Sequence, residues 1–376
     1  MSKNQQLFST ITANGELNLT LKESEIPTPG PDDVVVRIEA APINPSDMWP
    51  LFGPADFSQA NLDLSGDTPT LSAPVPEAFL GAVSARLDQT LPVGNEGAGV
   101  VVATGDSPAA KALDGKVVAI MPGGSFSKYA VVPANTCLVH NEGTTPMEAS
   151  SSFVNPLTAL CFLETMRLEN HSAIVHTAAA SNLGQMMVKL CKDENVPLVN
   201  IVRSQEQVDI LKGLGAEYIC NSSDDDFDAK LTDALEATGA TLGFDATGGG
   251  ELANVILTCM ERALSKNAKG LNTYGSSELK QVYLYGGLDV GPTLLKRGYG
   301  MSWSVGGWLM PLALARIGMA RTGELRQRVA DELKTTFASA YTQELSLLEM
   351  MDPAQIARYL PKKTGEKYVV TAQKDA

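Results

Sequence analysis

The chain has 376 residues, 44% of them hydrophobic, and carries 29 lysines and arginines against 43 aspartates and glutamates, a formal net charge of −14. That length suits two domains of roughly 100–200 residues each, and the acidic balance disfavours nucleic-acid backbones and anionic membranes as partners. The opening MSKNQQLFST lacks the basic start and apolar core of a secretory signal, and no apolar run approaches the roughly 18 residues that cross a bilayer, so a soluble cytoplasmic protein is expected.

From the N-terminus, VVVRIEA (34–40), AGVVVA (98–103), KVVAI (116–120) and KYAVV (128–132) are short β-branched runs. Turn-forming segments such as PGPDD, TGDS and MPGGS separate them, which predicts a β-rich domain over residues 1–150. Between Phe52 and Val93 the chain is rich in Pro, Ser, Ala and Asp and mostly aperiodic. A lid or an excursion at a sheet edge is expected there, with one helix over 76–89. After residue 150 the pattern changes. Apolar strands IVHTA (174–178), VPLVNIV (196–202) and LGFDAT (242–247) each precede a segment of helical periodicity, and QVYLYGGL (281–288) adds another strand. Such alternation predicts an α/β domain over 151–335, a parallel sheet wound with helices. From about 325 the chain reads as a helix, a short strand, a helix over 352–360 and a last strand over 367–372, which could return to either domain.

The five cysteines (Cys137, Cys161, Cys191, Cys220, Cys259) are scattered with no CxxC pair, and are expected to be buried, reduced thiols. His140, His171 and His176 have no metal-ligand spacing, and no metal is expected.

The turn AAASNLGQ (178–185) carries the chemistry. In the first strand-to-helix turn of a dinucleotide-binding unit, small residues let the backbone approach a pyrophosphate and the helix N-terminus donates N–H groups to it. Counted back from Gly184, the G-x-G-x-x-G register falls on Ala179 and Ser181, so only the third glycine is kept. The second strand ends at Val202, followed by Arg203. No acid stands there to hold a ribose 2′-hydroxyl, and an arginine is available for a 2′-phosphate, which favours NADPH. The competing reading is a solvated loop arginine.

These residues join a wider resemblance. AAPINPSDM (40–48), PVGNEGAGVVVATG (92–105), GGSFSKYAVVP (123–133), NPLTAL (155–160), KGLGAEYIC (212–220), FDATGG (244–249) and TGEKYVV (364–370), in this order and spacing, resemble the zinc-independent medium-chain dehydrogenases/reductases, quinone-oxidoreductase-like branch. The resemblance implies a GroES-like domain, completed by residues 336–376, and a Rossmann doubly wound parallel-sheet domain. It places Asn44 and Thr158 as catalytic residues near the nicotinamide, and Ala180, Ser181, Asn182, Leu183, Gly184 and Gln185 at the pyrophosphate. Arg203 falls at the 2′-phosphate, Thr247 and Gly248 along the ribose, Tyr285, Gly286 and Gly287 beside the ring, and Lys367 within reach of the cofactor. Local hydrogen bonding is the alternative role for Asn44 and Thr158, and a plain turn for Gly286 and Gly287. A homodimer is also implied.

Two departures qualify it. Zinc-containing members have a cysteine near the position of Asn44 and a histidine before the glutamate of a GHE motif, whereas this chain reads Gly94-Asn95-Glu96 and lacks the cysteine-rich lobe. Enoyl thioester reductases have a proton-donating tyrosine about ten residues after NPSD, whereas this chain reads WPLFGPADF, and phenylalanine donates no proton. In the aromatic segment 296–318, Trp303 and Trp308 are candidates for an acceptor pocket, an oligomer edge or simple burial. The expectation is an NADPH-dependent reductase of quinones or similar conjugated carbonyls, with an enoyl thioester reductase and an NADPH-binding sensor or structural protein as alternatives.

Overall fold

The computed structural model describes residues 3–266 and 273–374. The chain divides into two compact units, Met1–Val154 with Arg326–Ala376, and Asn155–Leu325.

In the first unit, Asn4–Ile11 and Glu16–Ser24 pair as an antiparallel hairpin. Leu17, Leu19 and Leu21 are buried while the residues between them are more open, the period-two alternation of a half-wet strand. The stretch between Phe52 and Val93 is less irregular than its composition suggests. Asn61–Asp63 and Thr70–Pro74 extend the hairpin's sheet, with Thr70–Pro74 paired to Glu16–Ser24. In place of one helix over 76–89 there is a short helix, Glu77–Leu80, followed by a 3₁₀ segment, Gly81–Arg86. Gly81 stands at the change and contributes no helix preference. The Arg86 guanidinium donates to the carbonyls of Trp49 and Pro50, fastening the segment to the chain after the NPSD turn.

The unit's other sheet is organised by Asp33–Ile43, which pairs with Gly97–Thr104, Tyr129–Pro133 and the late strand Tyr368–Val370. The end of the chain therefore returns to the first unit, and Gln343–Leu345 lies parallel beside it. The helix expected from about 325 starts earlier, at Met319, and stops at Asp331.

The second unit holds six parallel strands, in the order Tyr218–Asn221, Leu198–Val202, Ile174–His176, Leu242–Asp245, Lys280–Leu284, Trp303–Gly307. In chain order this is 3-2-1-4-5-6, the doubly wound arrangement whose switch point lies beside the first strand. The aromatic segment 296–318 contributes the sixth strand rather than a mere connection. Helices Asn182–Asp193, Gln205–Gly213, Phe227–Thr238 and Leu252–Lys266 link the strands. Val175, Val199, Leu231, Ile256 and Val282 are buried in the core. All five cysteines are buried and free. Among the described residues no helix is long and apolar enough to cross a membrane.

Gly99 tests the packing of the first unit. A Cβ there would stand 1.9 Å from the Arg37 carbonyl oxygen, beside a register shift in the Asp33–Ile43 ladder. Gly99→Ala is expected to lower stability by about 1–3 kcal/mol, the usual cost of overpacking, seen as a lower urea midpoint.

Candidate functional site

In the second unit, the strand Ile174–His176 runs into a turn in which Ala178 takes φ of 50°, a left-handed conformation in which a side chain is mildly strained. The Ser181 N–H donates to the Ala178 carbonyl at 2.9 Å, closing the turn. Ser181 caps the helix Asn182–Asp193, its Oγ accepting the Gly184 N–H at 3.2 Å, as an N-cap serine does. Gly184 explains the surviving glycine of the motif. A Cβ there would lie 2.1 Å from the Ala179 carbonyl oxygen, so helix and turn meet backbone to backbone. Gln185 Nε2 closes the far side on the Ala180 carbonyl at 3.0 Å. The result is a small-residue cradle at a helix N-terminus, suited to an anion.

Arg203 follows the second strand and is exposed. Its backbone is held, the N–H by Gln207 Oε1 and the carbonyl by the Ser223 hydroxyl, while its guanidinium has no partner among the described residues. An uncompensated cation beside the anion cradle fits a second phosphate.

The ends of the first, fourth and fifth strands are tied by side chains. Thr177 Oγ1 donates to Asp245 Oδ1 at 2.7 Å and accepts the Ala246 N–H at 2.8 Å. The fully buried Asp245 also accepts the N–H groups of Thr247 and Gly248, which fixes the segment read as the ribose side. Tyr285 reaches His176 Nε2 with its hydroxyl at 2.8 Å. Gly286 packs so closely on Ala246 that a Cβ would come within 2.6 Å of its carbonyl oxygen, and Gly287 is open. Trp308 packs edge-on against Phe162 and Phe244 and donates its indole N–H to Thr165. Trp303 lies edge-on against the buried Tyr299. Thr158 is buried in the helix Val154–Leu168.

The first unit contains a separate polar cluster. Asn44 donates through Nδ2 to Glu96 Oε1 at 2.9 Å, and its N–H donates to Asp47 Oδ2 at 2.8 Å. Asp47 Oδ1 accepts the Asn95 N–H at 2.8 Å. Glu96 Oε2 accepts the N–H groups of Phe153 and Val154 at 2.8 and 3.0 Å, holding the start of the helix Val154–Leu168. Lys367 donates to Ser151 and, at 3.4 Å, to Ser339. Burial pushes the Asp47 carboxyl up to about 7 against the opposing N–H donors, and raises Glu96 as well. The same effect brings the Lys367 ammonium down to about 8, although Glu96 and Asp47 pull it the other way. Asn44 Oδ1 is buried without a partner. Among the described residues no three His, Cys, Asp or Glu side chains gather as a metal site would require.

The second unit thus brings together Ala180 to Gln185 in one cradle, and joins Thr247 and Gly248 to Tyr285, Gly286 and Gly287 at the same sheet edge. Asn44 and Lys367 belong to the first unit's cluster. Asp47, Glu96, Asp245 and His176 were not singled out from the sequence as site residues, although NPSD, GNEG, FDAT and IVHT contain them.

No protein-family model matches the chain. Prostaglandin reductase-3 from Bos taurus is 30% identical over 223 residues, 58% of this chain and 51% of that protein. A mitochondrial enoyl-[acyl-carrier-protein] reductase from Arabidopsis thaliana is 27% identical over 307 residues, 78% of this chain and 72% of that one. The chain spans about half the length of the first curated relatives it matches. Among solved structures, a Mesorhizobium loti protein assigned as an NADPH:quinone reductase superposes with a TM-score of 0.72 at 24% identity, over 99% of both chains. The chain has a medium-chain reductase fold and resembles the zinc-independent branch. A mutant enoyl thioester reductase from Candida tropicalis shares this medium-chain reductase fold, with a TM-score of 0.66 at 18% identity, over 99% of this chain and 100% of that one.

Asp47 yields a prediction specific to the first unit's cluster. Its folded pKa lies above the ordinary carboxylate value, so the folded state binds the extra proton and stability is lost as pH rises from about 4 to about 7. Asp47→Asn keeps an acceptor oxygen and removes this titration. Its urea stability relative to wild type should improve from pH 5 to pH 7.5; a constant difference would show that Asp47 titrates normally.

Proposed function

We propose that this protein is an NADPH-dependent oxidoreductase that passes hydride to a quinone or a similar conjugated carbonyl. The observation that carries the cofactor reading is the anion cradle at Ser181–Gly184 followed, one strand later, by the unpaired Arg203. When bound, NADPH supplies the hydride. The chain's own part is to hold it: Ala180 to Gln185 on the pyrophosphate, Arg203 on the 2′-phosphate, Thr247 and Gly248 along the ribose, and Tyr285 to Gly287 beside the ring. The catalytic assignment of Asn44 and Thr158, and the cofactor assignment of Lys367, rest on the resemblance. Such a protein acts by orientation and exclusion of water.

The quinone reading is supported by the structural likeness to the Mesorhizobium loti protein and by the absence of a tyrosine in WPLFGPADF. Relatives and structures named as enoyl reductases support reduction of an enoyl thioester as the second reading. The proposed assembly is a homodimer in the cytoplasm. A Candida tropicalis enoyl thioester reductase structure described as a heterodimer supports pairing in this fold, while several relatives are named as mitochondrial.

The deciding measurement is oxidation of NADPH, with NADH as control, in the presence of a simple para-quinone or a short enoyl thioester. Turnover with the quinone supports the proposal. Turnover with the thioester alone transfers it to the second reading, and tight NADPH binding with neither substrate consumed points to a sensor. Arg203→Ala should raise the KM for NADPH by about 10- to 100-fold, as loss of a charged hydrogen bond implies, with the KM for NADH unchanged. Retained preference for NADPH would remove Arg203 from the site.

A further inference from the structure

His176 is the last residue of the central strand Ile174–His176, and it is fully buried. Its next neighbour, Thr177, reaches Asp245, whereas His176 reaches Tyr285. Successive residues of a strand point to opposite faces, so this one strand end reaches the ends of two others, the fourth strand beside it and the fifth strand beyond that one.

The surroundings of His176 are aromatic. Its ring lies 5.9 Å from that of Phe162 and is nearly parallel to that of Tyr285 at 5.8 Å, while Phe162 meets Tyr285 edge-on at 4.9 Å and stacks on Phe244 at 3.8 Å. Burial brings the imidazole down to about 3, so it is neutral at working pH. Nε2 is satisfied by Tyr285, but Nδ1 has no partner. An unpaired buried nitrogen costs stability, whereas an apolar pair of the same size would pack here without that cost. A local rule broken in this way tends to mark a functional site.

The bond fixes the direction of the Tyr285 side chain at the point where the fifth strand ends. The next residues are held on their other side, because Gly286 rests on the Ala246 backbone and the N–H groups of Leu288 and Asp289 donate to the carbonyls of Ala246 and Thr247. The segment Tyr285–Gly287 is thus clamped between His176 and Ala246 at the C-terminal edge of the sheet, where doubly wound folds bind their ligands.

We infer that His176 is a positioning residue, which acts through Tyr285 to set the surface against which the nicotinamide ring of the proposed cofactor lies. The inference rests on the NADPH reading above. It assigns His176 no contact with cofactor or acceptor and no proton transfer. Its effect is on the orientation of the ring, not on the grip on the phosphates, which belongs to the Ser181 cradle and Arg203.

The test uses Tyr285→Phe, which removes only the hydroxyl, with His176→Leu, the double variant, and His176→Gln, whose amide can still donate to the tyrosine. Bound NADPH is followed by the fluorescence of its reduced nicotinamide, by its dissociation constant and by the single-turnover rate of hydride transfer to a para-quinone. The expected result is a dissociation constant within about threefold of wild type, altered nicotinamide emission and a rate lowered about tenfold, since small misplacements are costly to transfer. The double variant should be no worse than either single one, and His176→Gln should recover most of the loss. Wild-type emission and rate in Tyr285→Phe would overturn the inference even if His176→Leu failed to fold. Losses that multiply in the double variant would also overturn it. If wild-type protein fails to bind NADPH in preference to NADH, the cofactor reading itself falls and takes this inference with it.

Discussion

A buried carboxylate survives only where enough donors surround it, and each unit of this protein is built around one. Asp245 gathers the Thr177 hydroxyl and the N–H groups of Thr247 and Gly248, so that the loops after the first and fourth strands keep a fixed separation. Glu96 gathers the Asn44 amide and the N–H groups of Phe153 and Val154, so that the NPSD turn, the GNEG turn and the start of a long helix share one anchor. Each carboxylate makes the geometry around it single-valued, and removing either would leave several N–H groups unpaired at once.

The same polar logic explains what was legible in the sequence. The second unit was readable because continuous apolar runs bounded by helical periodicity have few alternative interpretations, and a strand such as LVNIV (198–202) is buried on both faces. The tight strand-to-helix turn was legible even with two of three motif glycines replaced. Only Gly184 faces a backbone atom at a distance that forbids a side chain, while the positions of Ala179 and Ser181 tolerate small ones. The hairpin at 4–24 and the strands at 61–63 and 70–74 were harder, because they alternate polar and apolar residues and carry Ser, Thr, Asn and Pro that also suit loops. Their strand character comes from pairing with distant partners, which no local window contains. The sixth strand, Trp303–Gly307, has two glycines and low local preference, and it too is defined by its register against Lys280–Leu284.

The polar cluster in the first unit was visible only as wording. Asp47 and Glu96 lie 49 residues apart in sequence, and Lys367 comes 271 residues after Glu96; their proximity is a product of topology. Asn44, Asn95, Asp47 and Glu96 are largely occupied with one another, Asn44 Oδ1 excepted. Asn44 turns its donor to Glu96, Asn95 binds Ser46, and Asp47 accepts from both backbones.

The position of the last strand has a consequence for how the molecule comes into being. Residues 155–325 form a unit with an uninterrupted sequence, so everything its sheet needs has been synthesised before the remainder is made. The first unit is different: Asp33–Ile43 lacks one of its sheet neighbours until Tyr368–Val370 has been synthesised. Although it is translated first, it is completed last. During synthesis an exposed sheet edge must wait for residues 368–370, and a chain that stalls after residue 325 would leave a finished parallel-sheet unit tethered to an unfinished one with an open edge.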